Sequence, residues 1–160
     1  MLFRSPDVET VLVPVGGGGM ISGVAAALKL GAQHKVSVIG VEPEFAADAR
    51  DSFRTGHLVR WTAEQITRTL ADGLRTQSLG DITFAHIQRF VDDIVTVSED
   101  EIREAVRRLS VNPKLAAEPS GAVAIAAFLF HRNELPQTTR NVAVVSGGNI
   151  DPALKAEICG

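Results

Sequence analysis

The sequence predicts an α/β fold, a mostly parallel sheet with helices on both faces. Three observations carry this. Val8 to Val15 and Lys35 to Val41 are nearly continuous runs of apolar and β-branched residues, as expected of strands covered on both sides. Met20 to Leu30, between them, is rich in alanine and leucine and reads as a helix. Strand, helix, strand in that order makes a right-handed βαβ unit, and the alternation returns further along the chain.

The elements follow in order. The first strand runs into four consecutive glycines, Gly16 to Gly19, and the first helix is expected to close at Gly31 as its C-cap. Glu42 to Asp81 carries isolated charges with Gly56, Gly73 and Gly80, and reads as short helices and loops. Val91 to Val97 is a third strand. Ser98-Glu99-Asp100-Glu101 is a capping box, opening a helix to about Leu109 with Arg103, Arg107 and Arg108 on its polar side. Ser120 to Phe130 is a small-residue helix, apolar on nearly every face and therefore interior. Val142 to Val145 is a fourth strand, ending in Ser146-Gly147-Gly148-Asn149. No repeat or low-complexity linker divides the chain, so residues 1–160 read as a single domain.

Composition narrows the class. Apolar residues make up 45% and charged residues 22%, a balance that suits one globular core. A net charge of −3 without a basic cluster argues against a nucleic-acid partner. The longest apolar stretch, Gly121 to Phe130, falls short of the roughly 20 residues that cross a bilayer. The first residues lack the apolar core of a secretory signal, and one cysteine, Cys159, leaves no disulfide framework. The expectation is a cytoplasmic protein of small-molecule metabolism. His34, His57, His86 and His131 show no triad or metal spacing and read as surface or packing residues, and Cys159 as inert.

The glycine run carries the functional signal. A strand that turns through glycine into a helix N-terminus presents backbone N–H groups at the positive end of a helix dipole, which suits a phosphate. Three phosphate ligands compete. A nucleotide P-loop needs Lys-Ser or Lys-Thr after its last glycine, but Val24 and Ala25 follow Gly23, so that reading fails. A dinucleotide fingerprint through Gly18 and Gly23 needs glycine at position 20, where the chain has Met20. Glu42 nevertheless ends the second strand, where a ribose-binding acid would sit, so this alternative stays open.

The third ligand is pyridoxal phosphate. Four ordered motifs resemble the C-terminal part of the fold-type-II pyridoxal-phosphate enzymes of the serine/threonine dehydratase and serine racemase family. They are Val13-Pro14-Val15-Gly16-Gly17-Gly18-Gly19-Met20, then Gly40-Val41-Glu42-Pro43, then Ala71-Asp72-Gly73-Leu74-Arg75, and then Glu118-Pro119-Ser120-Gly121-Ala122 with Ser146-Gly147-Gly148-Asn149. The likeness runs from about Val11 to Asp151. It implies the large domain of that fold, in part, and the following roles. Gly16, Gly17, Gly18, Gly19 and Met20 would hold the cofactor phosphate through backbone N–H groups. Ser146 would face the pyridine nitrogen, where a neutral hydroxyl does not enforce a protonated ring. Glu42, Ala46 through its carbonyl, and Asp48 would ligate magnesium or calcium, a hard-oxygen set. Glu118 would stand behind the cofactor as an acid. Lys114 and Asn149 match positions that touch nucleotide in some racemases, and Asp72 and Arg75 read as a buried or half-buried structural pair.

The family's Schiff-base lysine, usually in a Ser-Phe-Lys-x-Arg-Gly setting, has no counterpart among Lys29, Lys35, Lys114 and Lys155. Ser52-Phe53-Arg54-Thr55-Gly56 imitates it with Arg54, whose permanently protonated guanidinium is a poor imine former. The expectation is therefore a partial domain with no catalytic residue of its own, inactive alone. It would self-associate or join the part that carries the lysine. The whole enzyme would remove ammonia from L-threonine or L-serine, or racemise serine. A non-catalytic phosphate-binding or regulatory module is the alternative from another class.

Overall fold

In the computed structural model, which describes residues 5–112 and 115–160, four strands form one sheet: β1 (Thr10–Pro14), β2 (Ser37–Pro43), β3 (Asp93–Val97) and β4 (Asn141–Ala143). Their order is β3-β2-β1-β4 and every pairing is parallel. Thr10 pairs with Ser37 on one side and with Asn141 on the other; Ile39 pairs with Asp93. The helices are α1 (Gly19–Gly31), α2 (Asp48–Thr55), α3 (Ala63–Ile66), α4 (Asp81–Phe90), α5 (Glu99–Ser110), α6 (Pro119–Phe130) and α7 (Pro152–Cys159), with a 3₁₀ turn at Asp72–Leu74.

Strand alternation divides the core in two. Leu12, Ile39, Val41, Val95 and Val97 face α5 and α6, packing on Ile102, Val106, Val123 and Ala127. Val11, Val13, Val38 and Ile94 face the other way, onto Ile21, Ala25, Leu28 and Ile87 of α1 and α4. Helices therefore cover both faces, as the sequence predicts. α6 lies against β1 and β2 with eight of its residues buried, which explains a helix that is apolar all round.

The chain winds outward from β1 to β2 to β3 and then returns to the far side of β1 as β4. That reversal sets the C-terminal ends of β1 and β4 side by side, the place where open α/β sheets form a ligand crevice. The glycine run leaves one end and Ser146-Gly147-Gly148-Asn149 the other.

Some boundaries differ from expectation. The strands at Val8, Lys35 and Val91 begin two residues later, at Thr10, Ser37 and Asp93, and the fourth spans Asn141–Ala143 rather than Val142 to Val145. Gly31 is the last residue of α1, not its cap; extended Ala32 caps the helix, its N–H reaching the Leu28 carbonyl at 3.0 Å. Two helices had no counterpart in the sequence reading. α7 begins at a readable signal: the Asp151 carboxylate accepts from Ala153 and Leu154 N–H, and Pro152 takes the first helical position. α4 has no side-chain cap, and only Ile87 of its ten residues is fully buried, so its apolar stripe is thin.

Candidate functional site

The glycine loop is shaped by its backing. Gly18 caps α1 with φ 85°, a left-handed conformation that favours glycine. A Cβ there would also lie 2.8 Å from a Leu79 methyl and 3.0 Å from Ile87 and Thr83. Thr83 ties the loop down, its hydroxyl donating to the Gly17 carbonyl at 2.8 Å. The first turn of α1 contains no acid and receives no side-chain cap. Its N–H groups therefore sit at the positive end of a 13-residue helix with no internal carboxylate to satisfy them.

Opposite, the first turn of α6 grips the loop after β4. Glu118 N–H donates to the Gly147 carbonyl at 3.1 Å, and the Glu118 side chain accepts from Asn149 N–H at 2.7 Å. A Cβ on Gly121 would come within 2.5 Å of the Gly147 oxygen, and one on Gly147 would overlap the Glu118 carboxylate. Only bare backbone allows this approach. Ser120 is nearly buried and lies inside α6, whose N-cap position falls to Glu118. The Ser120 hydroxyl accepts from Gly73 N–H at 2.9 Å and lies 3.4 Å from an Asp72 carboxylate oxygen. The third motif is thereby joined to the fourth across more than 40 residues of sequence.

All these segments line one cavity of about 280 Å³: Pro14, Gly16 to Gly19, Met20, Gly73, Leu74, Glu118, Ser120 and Ser146. Gly73 and Ser120 are contributors that the sequence reading did not assign to the site. A second opening of about 440 Å³ shares Glu118 and is lined by Asp72, Arg75, Asn149 and Asp151 among others. Asp72 and Arg75 are not the buried pair expected. Both are exposed, and each is tied elsewhere: Asp72 to Gly73 N–H and Ser120, Arg75 to the Thr69 carbonyl. Their side chains border an open cleft, where water solvates the charges.

No lysine among the described residues lines the smaller cavity. Lys29 is bound to Asp92 at 2.6 Å and to the Val36 carbonyl, and Lys35 and Lys155 are exposed; Lys114 lies outside the described residues. Arg54 is exposed on α2.

Glu42, Ala46 and Asp48 form a separate buried group where β2 runs into α2, and all three are fully enclosed. The Glu42 carboxylate accepts from Ala49 N–H at 3.1 Å and Arg50 N–H at 2.7 Å, at the N-terminus of α2. It is committed there, with no exposed oxygen for a ribose, which removes the basis of the dinucleotide alternative. Burial nevertheless pushes its carboxyl well above the usual range, and Asp48 adds to the effect. Asp48 is less well served: neither carboxylate oxygen has a hydrogen-bond partner in another residue. Burial raises its pKa from 3.8 to about 7, with Asp51 contributing. Two buried acids with an orphaned carboxylate suit a hard cation, whose charge would offset the desolvation. Among the described residues no cluster of three or more His, Cys, Asp or Glu side chains exists, so any such ion would take a backbone oxygen as well.

The architecture defines a doubly wound α/β protein with its crevice at the β1–β4 switch point. The comparisons with known proteins agree on the fold. The model of the pyridoxal-phosphate dependent enzymes matches residues 2–147. The chain is 40% identical over 155 residues to the catabolic L-threonine dehydratase TdcB of Escherichia coli (strain K12), covering 96% of this chain and 46% of that protein. It is 39% identical over 155 residues to serine racemase of Arabidopsis thaliana, covering 94% and 45%. Among solved structures, the threonine deaminase of T.th. superposes with a TM-score of 0.84 at 44% identity, covering 94% of this chain and 53% of that one. Maize serine racemase superposes at 0.86 with 34% identity, covering 98% and 47%. The chain belongs to the pyridoxal-phosphate dependent enzyme family. It spans about half the length of these relatives.

Proposed function

We propose that this chain forms the phosphate-binding half of an amino-acid ammonia-lyase active site. The observation that carries the proposal is the convergence of three of the four motifs, those at Gly16 to Met20, Gly73 and Glu118 with Ser146, on one cavity floored by uncharged backbone donors. The N–H groups of Gly16 to Gly19 and Met20 hold the phosphate of pyridoxal phosphate, and the α1 dipole supplies the positive potential. Ser146, exposed in the loop after β4, offers a hydroxyl to the pyridine nitrogen. Glu118, fixed by Asn149 N–H, holds that loop in place and puts an acid at the cavity wall. When bound, pyridoxal phosphate supplies an electron sink for the carbanion formed as the substrate loses its α proton. Glu42, the Ala46 carbonyl and Asp48 hold magnesium or calcium, which stabilises the β2–α2 corner.

The substrates are L-threonine or L-serine, giving ammonia with 2-oxobutanoate or pyruvate; racemisation of serine is the near variant. The names of the similar proteins support this assignment. The lysine that bonds the cofactor aldehyde comes from another polypeptide segment, and this chain alone is inactive. The sheet edge supports such a partner. β4 is three residues long and half-exposed, Val145 is 37% exposed, and a hollow of about 180 Å³ lies between Ile125, Phe128 and Ala143. Cytoplasmic location fits the metabolic role.

Reduction with borohydride after mixing with pyridoxal phosphate, followed by peptide mapping, tests this. The expected result is a cofactor absorbance shift that Ser146→Ala abolishes, without stoichiometric label. Stoichiometric label on Lys29, Lys35, Lys114 or Lys155 would sink the claim of a lysine-free site.

A further inference from the structure

His131 stands outside the site, and its surroundings are unusual for a surface histidine. It caps the C-terminus of α6, its N–H bonding the Ala127 carbonyl at 2.9 Å. Its ring is about one-fifth exposed, and both nitrogens face carboxylates. Nδ1 lies 2.7 Å from Glu134 Oε1; Nε2 lies 3.1 and 3.0 Å from the two oxygens of Glu101. A neutral imidazole has one N–H, so one lone pair would face an acceptor at hydrogen-bond distance. Only the imidazolium donates at both ends.

Glu101 is already at work. Its carboxylate accepts from Ser98 N–H at 2.8 Å, closing the capping box of α5. One histidine therefore joins the start of α5, the end of α6 and the turn at 131–134, where Glu134 N–H also returns to the His131 carbonyl at 2.9 Å. Both helix dipoles favour this placement of charge, the acid at an N-terminus and the cation at a C-terminus. The groups facing the ring are Glu101 from α5 and Glu134 from the turn. The neighbouring guanidiniums of Arg108 and Arg132 are turned onto the rings of Phe130 and Phe128.

We propose that His131 is a proton-dependent clamp between α5 and α6, closed when the ring is an imidazolium and loosened when it is neutral. α6 carries Glu118 and Ser120 at its other end, so the clamp steadies the helix on which the cavity wall is built. The proposal stands apart from the cofactor reading, because it invokes only this chain's own contacts.

The signs follow from the two partners. Burial lowers the His131 pKa, but Glu134 and Glu101 outweigh it and raise the net value above 6.5. This contribution is fully present below 6.5 and is lost as pH rises through the raised value. Burial raises the Glu101 pKa, but Ser98 and His131 outweigh it and bring the net value below 4.5. That contribution is present above 4.5 and is lost as pH falls through the lowered value. The clamp is therefore whole between 4.5 and 6.5.

Ring-nitrogen NMR and thermal melts on the full chain test it, using the wild type, H131Q and E134Q. At about pH 6.5 both His131 nitrogens should be protonated, and the ring should titrate above that value. Between about pH 6 and 9 the wild-type melting temperature should fall about 2–4 °C further than that of H131Q. E134Q removes an exposed partner and should lower the titration midpoint, which keeps the test decisive if H131Q does not fold. A ring that is neutral at that pH, a midpoint unmoved by E134Q, or identical pH slopes for H131Q and wild type would overturn the clamp.

Discussion

The ends of β1 and β2 handle charge in opposite ways. After β1, the chain offers glycine N–H groups at a helix N-terminus and places no acid among them. Where β2 ends and runs into α2, it buries two carboxylates, Glu42 and Asp48, and gives donors to only one. The first region is short of an anion and the second is short of a cation. The neighbouring helices explain the difference. The α1 N-terminus is open to a cavity, whereas the α2 N-terminus is already filled by Glu42. A dipole that points into a cavity leaves its N–H groups to a ligand; a dipole closed by its own chain leaves the next acid, Asp48, unserved.

Substitutions at each end sharpen the contrast, and Gly18→Val should have the largest effect. It forces a β-branched residue into a left-handed conformation and drives a Cβ against Leu79, Ile87 and Thr83. Backbone strain and overpacking together should cost roughly 2–4 kcal/mol, read by denaturant unfolding, with loss of pyridoxal-phosphate binding. A variant of unchanged stability would mean that the loop is not held as described.

Asp48→Asn acts in the opposite sense. Because the folded-state pKa is raised, the metal-free protein should lose stability as pH climbs from 3.8 to about 7, by up to about 1.4 kcal/mol per unit. In EDTA at about pH 8, above the raised pKa, Asp48→Asn should therefore melt above the wild type. Calcium or magnesium should raise the wild-type melting temperature and leave the variant unmoved. Equal responses from both proteins would remove the cation from the account.

What the sequence made legible was local or carried by glycine. The βαβ unit, the Ser98–Glu101 capping box and the glycine loop each declare themselves within a few residues. The remainder depends on contacts that no window of sequence contains. Gly73 meets Ser120 47 positions away, and His131 meets Glu101 30 positions away. Asp72 and Arg75 look like an internal pair because they are close in sequence, but both are exposed and each bonds a different partner, Ser120 and the Thr69 carbonyl. α4 stayed hidden because it lacks a side-chain cap and buries so few residues. Glu42 reads as a ribose acid from its place at the end of a strand, but its carboxylate is held by the α2 N–H groups of Ala49 and Arg50, which follow seven and eight residues later.

The central claim is that uncharged backbone donors at the β1–β4 switch point hold a phosphate without a covalent bond to lysine. Phosphorus NMR of pyridoxal phosphate titrated with the chain tests it most directly. A saturable shift of the phosphate resonance, unaffected by borohydride and lost in Gly18→Val, is expected. A resonance that does not move, or one that moves equally with Gly18→Val, would contradict it.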